Sequence, residues 1–188
     1  MSRDGHVDLA LGGAVRRFRL AIGDLEALQE ATGLGPADLL HRLHAGRAYG
    51  FRDLCALLRL ALIGGGTPPG EAHAHDLDGL PCLTLIATAT LVLAAGLEGA
   101  EDERVGRWTR PGPARPDGRM AFAPFYEAAA AMGLPVADLR AMSLWQFAAY
   151  LDGFNRMHGP EPMSAEEEDA LWAWIRAETA GAPHADRA

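Results

Sequence analysis

The run His73-Ala74-His75-Asp76 is the one local cluster of metal-ligating residue types in this chain. Imidazole and carboxylate donors could hold a divalent ion, and an open position on that ion would activate water for hydrolysis. The run follows Pro68-Pro69-Gly70 and reads as a solvated loop, with no third and fourth ligand at a fixed spacing. His41 and His44 stand three apart on one helix face, but without a cysteine or carboxylate set beside them they read as surface residues. Cys55 lies within a leucine-rich face, where a thiol is inert rather than nucleophilic. Gly12-Gly13 and Gly64-Gly65-Gly66 lack the strand-to-helix context and the lysine of a phosphate loop. Glu166-Glu167-Glu168-Asp169 suits the first turn of a helix, where acids complement the macrodipole, better than a catalytic pair. Spacing assembles no Ser-His-acid set. The expectation is a protein that is not an enzyme, with no catalytic residue, cofactor or metal. A small metal-dependent hydrolase using His73, His75 and Asp76 is kept as an alternative.

These residues must be carried by a mainly α (α+β) fold. Val7, Leu9 and Leu11 alternate, Gly12-Gly13 turns the chain, and Phe18 and Leu20 resume the phase, which predicts a β-hairpin. Counting outward from a two-residue turn pairs Leu11 with Ala14, Leu9 with Arg16 and Val7 with Phe18. A lone hairpin is marginal in water, so its apolar face needs helices against it. Asp24 is the expected N-cap of a helix striped by Ile22, Leu25, Leu28 and Thr32 and ended by Gly33. Pro36 opens the next, carried by Leu39, Leu40 and Leu43 to Gly46. Phe51, Leu54, Cys55, Leu58, Ala61 and Leu62 make a third helix face that Leu57 and Leu60 widen, so that helix packs on two sides. The glycines and prolines from Gly64 to Gly70 stop it.

From Gly79 to Leu97, nineteen residues carry no charge, a length that could span a bilayer. Pro81, Gly96, three threonines and several alanines dilute the segment, and the nearest charges are acids. It reads as a core or partner-covered helix. The proline, glycine and arginine content that follows divides the chain into a hairpin-plus-helices domain (1–97), a flexible linker (98–120), a small helical C-terminal unit (121–180) and a loose tail (181–188). In the second unit Phe122, Phe125, Ala128, Ala129 and Met132 form one stripe. Leu134-Pro135 starts a short helix, and Ser143-Leu144-Trp145-Gln146 and Ser164-Ala165-Glu166-Glu167 are capping boxes.

Composition narrows the function class. Of 188 residues 49% are apolar and 22% charged, which is globular usage rather than disorder. A net charge of -8, with arginine as the only strong base, argues against a nucleic-acid partner, since phosphate contacts need surplus cations. Two cysteines are too few for a disulfide framework, and no signal-peptide pattern follows Arg3, so a reducing, cytoplasmic setting is expected. Aromatics stand out instead. Trp145 and Tyr150 are displaced from the Leu144–Leu151 stripe, and Trp172 and Trp174 cannot both face one narrow core. Aromatics beyond what a small core buries mark protein interfaces.

The run Val7-Asp8-Leu9-Ala10-Leu11-Gly12-Gly13, then Arg17-Phe18-Arg19-Leu20 and Leu25-Glu26-Ala27-Leu28, resembles the gene transfer agent and phage tail assembly chaperone family. The likeness continues through Ala56–Gly66 and Ala89–Gly96. Gly133-Leu134-Pro135, Leu139–Phe147 and Asp152-Gly153-Phe154-Asn155 resemble the short companion chaperone of such systems. The resemblance implies a non-catalytic factor that coats the apolar tape-measure protein, recruits the tail tube protein and self-associates. It would work in the bacterial host cytoplasm and be absent from the mature particle. Partner-binding positions then fall on the broad helix faces at Phe51, Leu54, Leu57, Leu58, Leu62, Leu85 and Leu91. The displaced aromatics Trp145, Tyr150, Trp172 and Trp174 join them. A structural tail component, such as a terminator or head–tail adaptor, and a regulator or toxin–antitoxin module are the other readings.

Overall fold

The computed structural model describes residues 2–98 and 118–158. Residues 1–155 make one compact unit and residues 156–188 a second, of which only the end of one helix is described. Strands β1 (His6–Leu11) and β2 (Ala14–Arg19) form an antiparallel hairpin. Helices follow as α1 (Ile22–Thr32), α2 (Pro36–Ala45), α3 (Phe51–Gly64), α4 (Pro69–Ala74) and α5 (Cys82–Glu98), then α6 (Ala123–Ala131), α7 (Val136–Ala141) and α8 (Leu144–His158). This is the expected hairpin on a helical bundle.

The hairpin takes the register counted from the sequence: Leu11 faces Ala14, Leu9 faces Arg16 and Val7 faces Phe18. Gly12 and Gly13 hold φ of 62° and 81°, the left-handed pair that a two-residue turn requires. Directly opposite on the outward face, Asp8 and Arg17 make a bidentate ion pair, with Nε–Oδ1 at 2.9 Å and Nη2–Oδ2 at 3.0 Å. The inward face sets Phe18 and Leu11 into the core.

Helix α3 is the hub. It packs against β2, α1, α4 and α5, so Leu54, Leu57, Leu58, Ala61 and Leu62 are all buried. The glycines at its end do more than stop it. A Cβ on Gly64 would meet the Arg19 carbonyl and come within 2.7 Å of Asp24 Oδ2, and one on Gly65 would meet the Arg17 carbonyl. The end of α3 therefore lies backbone to backbone against the outer edge of β2.

Two helix starts share one device. Asp24 Oδ2 accepts the Ala21 amide at 2.8 Å, and Asp53 Oδ2 accepts the Gly50 amide at 2.7 Å. Asp24 was expected as the N-cap itself. It sits instead in the first turn and reaches back, because α1 begins at Ile22. Burial pushes its carboxyl above the ordinary carboxylate value, against the opposing hydrogen bond from Ala21 and the charges of Arg19 and Arg140.

The sequence placed residues 98–120 in a linker and a separate unit after it. Those of the linker that are described, Glu98 and 118–120, do not all stand apart: Glu98 closes α5, and Met120 is bonded to α1. The Gln29 side chain accepts the Met120 amide at 2.8 Å and donates to its carbonyl at 3.2 Å. Beyond it, α6 to Asn155 belong to the same compact unit as the hairpin. A second cluster of Phe125, Ala129, Leu139 and Phe147 closes over Ile22 of α1. Ser143 and Gln146 form the expected capping box at α8, with Ser143 N–Gln146 Oε1 at 2.9 Å and Gln146 N–Ser143 Oγ at 3.0 Å. The expected capping box at Ser164, the helix bearing Trp172 and Trp174, and the tail at 181–188 lie outside the described residues.

Candidate interaction surface

The His73–Asp76 run is not a plain loop, since α4 carries His73 while His75 follows its end. The His73 ring Nδ1 lies 2.7 Å from the Pro69 carbonyl, one helical turn back. Asp76 Oδ1 accepts the Gly79 amide at 3.0 Å, closing a local turn. His75 Nε2 is buried and has no hydrogen-bond partner among the described residues. His75 and Asp76 line a hollow of about 300 Å³ with Leu11, Gly12, Arg16 and Leu80. Among the described residues no three His, Cys, Asp or Glu side chains converge as a metal-holding group. His41 and His44 are both exposed on α2. Cys55 is buried, and burial pushes its thiol above the ordinary value; Cys82 is exposed.

The apolar positions expected at a partner surface divide. Leu54, Leu57, Leu58, Leu62 and Leu85 are fully enclosed in the core, so they hold the fold together and offer no surface in the free chain. Their stripe faces the hairpin, α1 and α5 at once, and periodicity alone cannot tell an apolar face that meets its own chain from one that meets another. Phe51, Leu91 and Tyr150 are exposed. Trp145 is half-buried, with the Arg3 guanidinium 5.9 Å from its ring centroid. Trp172 and Trp174 lie outside the described residues.

Helix α5 carries the most coherent outward surface. Its buried side holds Leu85, Thr88, Ala89, Val92 and Leu93 against α2, α3 and β1. One side chain every four residues points the other way: Leu83 at 80% exposure, exposed Ala87, and Leu91 at 51%. Between them the Thr90 hydroxyl is turned back on the Ile86 carbonyl at 2.8 Å, so it makes little demand on a partner. No charged side chain interrupts the helix before Glu98. Sequence reasoning singled out Leu91 but missed Leu83, although the spacing of eight between them is a helical signal. Among the described residues no helix is long and apolar enough to cross a membrane.

A family model described as phage tail tube protein, GTA-gp10, matches residues 4–99, just over half of the chain. The chain belongs to this family. No curated protein and no solved structure matches it. The match runs from the hairpin through α5, so the uncharged outward face lies within the part that defines membership. As a GTA-gp10 family member the chain is a phage or gene-transfer-agent tail protein, and its working surroundings are other tail proteins.

Proposed function

We propose that this GTA-gp10 family member is a non-catalytic tail assembly factor that holds the tape-measure protein in soluble form and brings tail tube subunits to it. The observation that carries this reading is the α5 face of Leu83, Ala87 and Leu91, an uncharged helix surface left outside the core. A long, apolar, helical client would bind it helix against helix. Burying the exposed parts of the two leucines is worth roughly 2–3 kcal/mol, weak enough for one contact to be displaced and additive over many copies. The acidic net charge of -8 would keep the coated complex in solution. On this reading the chain acts in the host cytoplasm and leaves before the particle is complete.

The description of the family as a tail tube protein favours a second reading, a structural tube subunit. The two separate cleanly. Co-expression with the tape-measure protein should keep that protein soluble and co-purify it, and L83E/L91E should abolish the effect. Purified particles should lack the chain. Its recovery from particles at stoichiometric copy number, with no effect on tape-measure solubility, would establish the structural reading instead.

A further inference from the structure

We propose that the α6–α8 block is exchangeable between copies: it docks on α1 of its own chain in a single molecule, and on α1 of a second copy in a reciprocal pair. The inference holds whether the chain is an assembly factor or a tube subunit.

The block has a core that travels with it. Phe125, Ala129, Leu139 and Phe147 pack together, with the Phe125 and Phe147 ring centroids 5.2 Å apart, and among the described residues Ile22 is the one fully buried member from outside the block. Much of the remaining attachment is polar and directional. Tyr126 donates to Glu26 Oε2 at 2.8 Å, and Arg140 donates to the same oxygen. Ser143 Oγ donates to the Arg3 carbonyl at 2.8 Å, and the Ile22 amide donates to the Met142 carbonyl at 2.9 Å. Position 23 is fitted to the block too, since a Cβ there would press on Arg140 Cβ at 3.0 Å and its carbonyl at 3.1 Å. Met120, Phe122 and Leu144 add partly buried contacts with the main core, so the junction combines a few apolar side chains with a set of hydrogen bonds, the mixed character of contacts between domains.

The number of connecting residues sets the limit of the block's reach. Between Glu98 and Gly118 lie the nineteen residues 99–117, whose contour length is at most ~60–70 Å. The docked contacts are the same in either arrangement, so chain closure and local concentration decide between them. High local concentration is the condition under which exchange of identical elements makes dimers.

The test reverses the charges at the junction. E26R and R140E each place like charges at the site when docked on themselves, but a mixture joins one acid to one arginine at both junctions of a reciprocal pair. Equimolar mixing at high concentration should give a species of twice the chain mass by light scattering, absent from either variant alone. A mixture that stays at the single-chain mass overturns the proposal. Should a variant fail to fold by circular dichroism, wild-type chains bearing two different affinity tags serve in its place. After joint incubation in mild denaturant and its removal, recovery of both tags together supports exchange, and recovery of each tag alone overturns it.

Discussion

Replacing Gly65 by alanine tests the backbone contact that seats the hairpin on α3. The backbone at this position has φ -79° and ψ -2°, which alanine adopts freely. In open space the change would therefore stabilise by about 0.4–1 kcal/mol through the unfolded chain. Here the new methyl meets the Arg17 carbonyl oxygen and lies 2.7 Å from its carbon and 3.2 Å from the Ala61 carbonyl oxygen. Backbone cannot rotate away as a side chain can, so relief requires β2 and α3 to separate over the buried Leu58 and Leu62. Overpacking of this kind costs about 1–3 kcal/mol, and the upper end applies where both partners are main chain. The net expectation is a loss of about 2 kcal/mol, or about 4–8 °C in Tm for a unit of this size. Thermal and urea melts followed by circular dichroism read it directly. Gly70→Ala is the control, since nothing among the described residues lies within 4 Å of a Cβ there; it should be neutral or slightly stabilising. A G65A chain that melts at or above wild type would refute the argument.

The other expectations concern the surface, the α1 junction and two carboxylates. L83E/L91E should change stability by less than about 1 kcal/mol, as exposed positions do, while removing client co-purification. Gln29→Ala should cost about 1–2 kcal/mol and speed hydrogen exchange at the Met120 amide, which loses its partner. Burial alone would raise the Asp4 carboxyl, but hydrogen bonds from Ser2 and from the His6 ring and amide outweigh it and hold the group at about 2 against an ordinary 3.8. Its contribution is therefore present above pH 3.8 and lost as pH falls through about 2; a carboxyl titration by NMR with a midpoint at the ordinary value would contradict this. Asp24 has the opposite sign: its raised value favours the protonated form, so its contribution is greatest below pH 3.8 and is lost as pH rises through the folded value. Asp24→Asn keeps an oxygen for the Ala21 amide and should gain stability over wild type at pH 7 relative to pH 3, measured by urea melts at both.

Local features were the ones legible in the sequence. The Gly12-Gly13 turn fixed the hairpin register because two residues between alternating runs leave one pairing. Proline at 36, glycine at 46 and the Ser143–Gln146 box marked helix ends because capping is decided within a few residues. What escaped depends on contacts distant in the chain. Ile22 sits on the α1 stripe, yet its side chain serves the cluster of α6–α8. Glu26 and Gln29 look like ordinary polar positions until Arg140 and Met120 arrive from more than ninety residues away. The glycine run at 64–66 could have been read further, since one left-handed residue suffices to end a helix and the other two signal a close approach. The leucines of α3 show the same limit at the interaction surface: their number revealed an apolar face but not whether the chain itself would cover it.

The seating of α3 against β2 also gives the hairpin a direction. Main-chain groups along one flank are already occupied by the end of a helix, while among the described residues nothing bonds the outward amides and carbonyls of Asp8 and Ala10 on the opposite flank. Main-chain pairing with any further strand would therefore fall to β1, since the end of α3 already stands against β2.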